Sequence, residues 1–356
     1  MDSDRRFLRS LLATRRAMLG SAAAMALPGA ARAQKKFAGR RITYASYGGA
    51  YQDGQKKAYC DGFAEETGVT IDQDGPMDNA KFRLMVSTGR VLWDVVDVSA
   101  SFLYGSAAQN VFEKLDFSVI NKSRIDPRYV TEYGVGDEVY SNNLGYSTTA
   151  FPGDKHPRTW ADMWDLKAFP GKRMFNAAAG GTLEATLLAD GVAPKDLYPL
   201  DVPRALKKLD AIKDQILWWE TNSQSQQLLV SGAATMGMIN NGRVYDSVQK
   251  GASLALSWDQ ALQSADYLVI PRGSKNVDVA MALIDYVTRP EPQAMFANLM
   301  VFSPTNPDAF RLIDPKLAPW LATNPAYAER SVVMNNDYWR DNLDRVTKIW
   351  TQWRLT

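Results

Sequence analysis

Few of the 356 residues could carry covalent chemistry, because the chain has one histidine, His156, and one cysteine, Cys60. Any Ser-His-Asp or Cys-His arrangement would need His156 as its base, and no His-rich zinc site can be assembled. His156 lies between Lys155 and Pro157 in a loop-like stretch, 151–158, where a surface role is expected. Cys60 reads as a small buried apolar residue, and a lone cysteine forms no intrachain disulfide. Glu184 and Asp190 are the remaining acid–base candidates, but carboxylates at that spacing read as solvated helix charges. Neither a Cys cluster, a GxGxxG fingerprint nor HExxH is present to hold a cofactor or metal. What the chain does offer is binding chemistry at the ends of apolar runs. Gly48-Gly49 would present backbone N–H groups ahead of a helix, Ser99 closes a β-branched run, and Asn240-Asn241-Gly242-Arg243 follows another.

Those residues need strands and helices to position them. Residues 41–45 alternate as a strand and lead through Ser46-Tyr47-Gly48-Gly49 into a helix over 50–67, which Gly68 ends before a strand at 69–71. A helix over 79–89 precedes 93–99, a buried parallel strand that delivers Ser99 to the carboxyl end of the sheet, where ligands bind in open α/β folds. A helical segment including 107–115 follows. Residues 140–146 are expected to cross to a second lobe, and Thr159 with Asp162 at capping-box spacing starts a short helix. Residues 172–175 and 235–239 read as strands, 203–215 and 224–230 as helices, and 177–182 as a small-residue loop. Val346, Ile349, Trp350 and Trp353 form the packed face of a last helix. The alternation predicts an α/β chain of two lobes joined by strands, in keeping with a length beyond the usual single core.

Residues 1–33 have the anatomy of a cleavable export leader. Arg15-Arg16 precedes an apolar stretch, 17–30, that is shorter than the roughly 20 residues a membrane span needs, and Ala31-Arg32-Ala33 offers a cleavage site. Arg32 favours the twin-arginine machinery over the Sec route, and a second pair, Arg5-Arg6, blurs which is read. A periplasmic protein cut near Ala33 is expected. The leader contains six arginines and two aspartates, leaving 35 basic against 37 acidic residues, so the basic balance of the whole chain comes from the leader. No basic block remains for nucleic acid.

The order of motifs resembles the solute-binding proteins of ABC importers, specifically the spermidine/putrescine-binding branch. Its anchors are Tyr47-Gly48-Gly49-Ala50-Tyr51, Phe-Ala-Glu-Glu-Thr-Gly-Val at 63–69, Trp93-Asp94-Val95-Val96, and Thr159-Trp160-Ala161-Asp162-Met163-Trp164. They continue with Met-Gly-Met-Ile-Asn-Asn-Gly at 236–242, Asp266-Tyr267-Leu268-Val269-Ile270-Pro271, residues 280–290, and Phe302-Ser303-Pro304-Thr305-Asn306. The resemblance implies a two-lobed periplasmic binding fold of type II that closes on a small solute and docks on an inner-membrane permease. It implies no enzyme activity, cofactor or metal, and a monomer is expected. Lobe 1 would comprise 34–142 plus 266–312, and lobe 2 would comprise 143–265 plus 313–356.

In the polyamine-binding branch, aromatic residues box the alkyl chain and carboxylates pair with ammonium groups. The resemblance puts Tyr47, Phe302 and Trp339 in aromatic positions and Asp266 in a carboxylate position, with Arg340 beside Trp339. The pattern also departs from that branch: loop 177–182 has no acid before Glu184, and Asn240 replaces an expected tryptophan. A long polyamine would leave an ammonium unpaired at a cost of several kcal/mol. Arg243 and Arg340 offer cationic forks, while Gly48, Gly49 and Thr182 offer further donors, so an amino-carboxylate is the favoured solute. Polyamine binding is the alternative, and a twin-arginine-exported enzyme is a reading of another class.

Overall fold

Strand β1 (Arg41–Ala45) forms because its alternating residues bury Ile42 and Tyr44 on one face, and it pairs in parallel with β2 (Thr70–Asp74) and β3 (Val95–Ser99). A computed structural model describes residues 35–106 and 110–356; the expected leader and its cleavage site near Ala33 lie outside the described residues. The helix expected over 50–67 is continuous in space. It consists of α1 (Gly49–Gln55), a π-helical turn (Lys56–Cys60) and α2 (Asp61–Thr67), and Gly68 closes it at φ 79 with its N–H on Ala64 O. Asp78 caps α3 (Asn79–Ser87) by accepting from the Lys81 N–H at 2.7 Å. The next helix, α4 (Ala100–Ser106), starts directly after β3, and residues 111–115 are not helical. The segment expected as helix over 107–115 is therefore displaced toward the N-terminus, with 107–109 outside the described residues.

Two long strands carry the chain between its halves. Strand β4 (Gly134–Ser147) begins six residues before the sequence signal at Tyr140, and β8 (Leu254–Val269) is its antiparallel partner along most of its length. Toward one end β8 also pairs with β3; at the other β4 pairs with β7 (Met236–Asn240), which joins β5 (Arg173–Asn176) and β6 (Ile216–Trp219) in a parallel set. Among the described residues the strand order is β2-β1-β3-β8-β4-β7-β5-β6, with β9 (Val332–Val333) beside β8. Gly237 permits the β5–β7 approach, because a Cβ there would overlap the Met174 carbonyl oxygen.

Among the described residues two large apolar cores lie on either side of these crossings, with a small third cluster around Ala294, Val301, Ile313 and Leu321. The first runs from Phe37 to Val139 and from Ala265 to Phe296, including the faces of α9 (Val277–Val287) and α10 (Pro290–Met300). The second runs from Leu144 to Leu262 and from Val332 to Trp350, with α5 (Thr182–Ala189), α6 (Val202–Asp210), α7 (Asn222–Val230), α8 (Asn241–Gln249) and α11 (Asn336–Leu355) around it. Each fully buried large apolar side chain, such as Phe82 in one core and Leu183 in the other, contributes about 1.5–3 kcal/mol. The face of the last helix is as expected, with Val346 and Trp350 buried and the Trp350 indole N–H on Ala177 O at 2.7 Å. Among the described residues no helix is long and apolar enough to cross a membrane.

Candidate functional site

Asp266 projects from β8 opposite Ser99 of β3 on one side and Glu138 of β4 on the other. Behind it lie two more acids, Asp97 and Asp137, both fully buried along with Glu138. The Gln55 amide bridges the pair, donating to Asp97 Oδ2 at 2.7 Å and to Asp137 Oδ2 at 3.1 Å, and Ser46 Oγ donates to Asp97 Oδ2 at 3.2 Å. Tyr51 donates to Glu138 Oε1 at 3.5 Å. Asp97 Oδ1, Asp137 Oδ1 and Glu138 Oε2 have no hydrogen-bond partner among the described residues, and no lysine or arginine neutralises any of the four acids there. Burial pushes Asp97 up to about 6, and holds Asp137, Glu138 and Asp266 well above the usual carboxylate range, with mutual repulsion adding to it. Burial thus favours the protonated form of this ladder of acids and leaves three of its oxygens without a partner among the described residues.

Tyr47 stands over this ladder. It is 38% exposed, and burial of its hydroxyl end beside the charge of Asp266 raises its pKa. Its ring lies 6.0 Å from Tyr51, which meets Phe302 edge-on at 5.2 Å, while Phe302 stacks on Phe296 at 5.8 Å. Phe302 therefore supports the aromatic floor.

A cavity of about 840 Å³, within the size range of small-molecule sites, opens next to Ser99, the register partner of Asp266; the four acids and Tyr47 are not among its lining residues. One wall comes from Ser99, Tyr104 and Tyr140; the other comes from residues 176–180 and the face of α11 that carries Trp339, Arg340 and Arg354. The two walls belong to elements of the two cores. Trp339 is half-buried, with its indole N–H on Glu184 Oε1 at 2.6 Å. The Arg340 guanidinium is engaged at 2.6 Å by Asp337 and at 2.7 Å by Asp341. Ser99, Trp339 and Arg340 thus share this cavity.

The remaining sequence candidates are distributed more widely. Gly48 and Gly49, at φ 82 and 59, line a separate depression with Tyr47, and the Gly48 N–H is taken by Gln52 Oε1 at 3.0 Å. Thr182 is buried, and its hydroxyl donates to Asn176 O at 3.0 Å. Asn240 pairs in register with Asn142 and caps α8 by accepting from the Gly242 N–H. Arg243, in the first turn of α8, is half-buried, and its guanidinium has no hydrogen-bond or ion-pair partner among the described residues. His156 stacks on Tyr146 with ring centroids 5.0 Å apart. Cys60 is buried, and burial pushes its thiol up to about 12, so it is no nucleophile.

Glu184 overturns the reading of a solvated charge: it is fully buried and accepts from the Gly181 N–H, the Tyr198 hydroxyl and the Trp339 indole. Asp190 does pair at the surface, with Arg204 and Lys208. The sequence reading missed Asp97, Asp137, Glu138, Tyr51 and Tyr140. Asp97 carried a signal, as an acid inside an apolar β-branched run that only a partnered or functional carboxylate would occupy.

Residues 58–329 match the model of a family described as bacterial extracellular solute-binding protein. The gamma-aminobutyric acid-binding protein of Pseudomonas aeruginosa is 32% identical over 338 residues, covering 92% of this chain and 94% of its own. A solved GABA receptor, Atu4243, is 41% identical with a TM-score of 0.80, over 88% of this chain and 98% of that one. The binding protein AgtB of A. tumefaciens R10, solved with agropinic acid, is 35% identical with a TM-score of 0.71, over 89% and 99%. These neighbours share a two-lobed fold, and their role is to bind a solute and deliver it to a membrane permease rather than to catalyse a reaction. The chain belongs to the bacterial extracellular solute-binding proteins, the substrate-binding components of ABC transporters.

Proposed function

We propose that the chain captures a small amino-carboxylate where the cavity between its two halves meets the acid ladder at Ser99 and Tyr140, with Asp266 receiving the ammonium group. The observation that carries this reading is the acid ladder: Asp266, Glu138, Asp97 and Asp137 lie together under Tyr47 with no cationic neighbour among the described residues. An ammonium group placed there satisfies charge that the protein itself leaves unbalanced. The names of the 32% and 41% identical relatives point to the same class, a four-carbon ω-amino acid.

A polyamine fits less well. Loop 177–181 has no carboxylate, and Glu184 behind it is turned inward with both oxygens occupied, so a second ammonium has no acid to meet there. For the carboxylate end, Arg243, which lies outside the cavity's lining residues, is the favoured partner because its guanidinium is half-buried with only the Asp246 charge nearby and no hydrogen bond or ion pair among the described residues, whereas Arg340 is already held by two aspartates. Closure would bring the two ends of the solute into contact with both halves at once.

For the lobes, the two cores support 34–142 plus 266–312 in one and 143–265 with the C-terminal segment in the other. Ile313 and Leu321 pack with Ala294 and Val301, which supports a last boundary after Ala322 rather than at 313. We further infer export through the twin-arginine route with cleavage near Ala33, from the order of charge, apolar stretch and small residues. A thermal-shift panel at pH 7.5 tests the solute class. Four-carbon ω-amino acids should raise Tm in a concentration-dependent way, and a shift with putrescine or spermidine but none with amino-carboxylates would overturn it.

A further inference from the structure

Glu184 is a buried acid to which the solute reading gives no direct task. It occupies the third position of α5, is fully buried, and has no lysine or arginine partner among the described residues. Its Oε2 accepts the Gly181 N–H at 2.7 Å, and its Oε1 accepts the Tyr198 hydroxyl at 2.8 Å and the Trp339 indole N–H at 2.6 Å. The Tyr198 oxygen in turn accepts the Asn335 N–H at 3.2 Å. One carboxylate thereby joins the end of loop 177–181, the Tyr198 segment and the start of α11.

Two of those segments are walls of the cavity. Ala177, Ala178, Ala179 and Gly180 line one part of it, and Met334, Asn336 and Trp339 line the adjoining part. The Trp339 ring lies over Gly180, with Cζ2 3.7 Å from where a Cβ would stand. A carboxylate accepts at both oxygens, whereas glutamine would turn an NH₂ group toward at least one of the three donors. Burial raises the Glu184 pKa, and the three donors oppose that rise by favouring the charged form.

We propose that Glu184 is a positioning residue for solute recognition. By gripping the Trp339 indole N–H, it fixes the aromatic wall that faces the Ser99 and Tyr140 side of the cavity. A ring ordered in advance costs no conformational entropy on binding, and its fixed face selects a methylene chain ending in an ammonium group over bulkier or branched amines. This proposal rests on the cavity being the solute site.

The test combines Glu184→Gln, Trp339→Phe, Trp339→Ala and the Glu184→Gln/Trp339→Phe double variant, each titrated calorimetrically with gamma-aminobutyric acid. Tm is measured alongside, and the indole N–H resonance of ¹⁵N-labelled protein is followed. A downfield indole resonance should be present in the wild type, absent in Trp339→Phe and displaced upfield in Glu184→Gln. Trp339→Phe should weaken binding about tenfold, Glu184→Gln should weaken it in step with the displacement of its indole resonance, and the double variant should bind about as Trp339→Phe does, because the bond concerned is the same one. Trp339→Phe keeps an aromatic ring and serves if Glu184→Gln does not fold. Wild-type affinity in Trp339→Phe, additive losses in the double variant, or a lowered Tm with unchanged affinity in Glu184→Gln would each overturn the positioning role. Weakened binding in Trp339→Ala alone would leave the cavity assignment standing while removing Glu184 from recognition; unchanged binding in Trp339→Ala would overturn both.

Discussion

Asp266 and Glu138 face each other directly across the β4–β8 ladder, so two carboxylates occupy one cross-strand pair. Opposed residues of an antiparallel pair have Cβ atoms about 4.5–5.5 Å apart, and like charges so placed destabilise the sheet. A protein selected for stability alone would not keep this pair. It is reasonable at a site where a solute supplies the missing positive charge.

The first expectation concerns the solute-free protein. Asp266→Asn removes one member of the pair, so Tm without solute should hold steady or rise, by the equivalent of about 0.2–1 kcal/mol. Differential scanning calorimetry checks this, and a fall of several degrees would mean that Asp266 is a structural residue.

The acids also set a pH dependence of unusual sign. Asp97 is pushed up to about 6 by burial, and Asp137, Glu138 and Asp266 are raised in the same direction, so the folded state binds more protons than the unfolded chain above about pH 4. Stability contributed by these groups is present below that range and declines as pH rises through about 6. Surface aspartates held low by ion pairs, such as Asp190 and Asp246, act only at lower pH. Tm without solute should therefore be higher at pH 5 than at pH 7.5, while the Tm increase produced by an amine-bearing solute should be larger at pH 7.5. Thermal scans at the two pH values, with and without solute, measure both signs.

Arg243→Gln should separate the two ends of the solute. If the guanidinium receives the carboxylate, losing a charged hydrogen bond weakens amino-carboxylate binding by about 1.5–3 kcal/mol and leaves a simple monoamine unaffected. Parallel titrations with gamma-aminobutyric acid and butylamine give the comparison; equal losses for both would exclude that role.

Gly237→Ala tests the strand that ends at Asn240 and leads into α8 with Arg243. The new methyl group would overlap the Met174 carbonyl, so β5 and β7 would have to separate. A destabilisation of about 1–3 kcal/mol is expected in chemical denaturation, the range of overpacked core positions.

Most of the fold was legible because strands such as Val95–Ser99 are apolar and β-branched, and because Gly68 and Asp162 mark helix ends. Strand β8 was harder to read: Leu-Ala-Leu-Ser-Trp-Asp-Gln-Ala-Leu-Gln mixes good helix formers with polar residues, and only its long pairing with β4 makes it a strand. The Asp137-Glu138 pair escaped notice for a related reason, since Gly-Val-Gly-Asp-Glu-Val has no clear alternation and its burial comes from tertiary contacts. Glu184 was readable and was misread. All eight residues of α5 are buried, and a helix apolar on every side cannot solvate its one acid. The capture of Arg340 was equally visible, because Asp337 lies three residues before it on a helix and Asp341 follows directly.

The measurement that bears most directly on the solute site is the calorimetric Kd of gamma-aminobutyric acid for wild type and Asp266→Asn at pH 7.5. Loss of the carboxylate that receives the ammonium group should cost about 2–5 kcal/mol, a weakening of roughly 30-fold or more. Equal affinities in the two proteins would contradict the assignment of the acid ladder as the amine site.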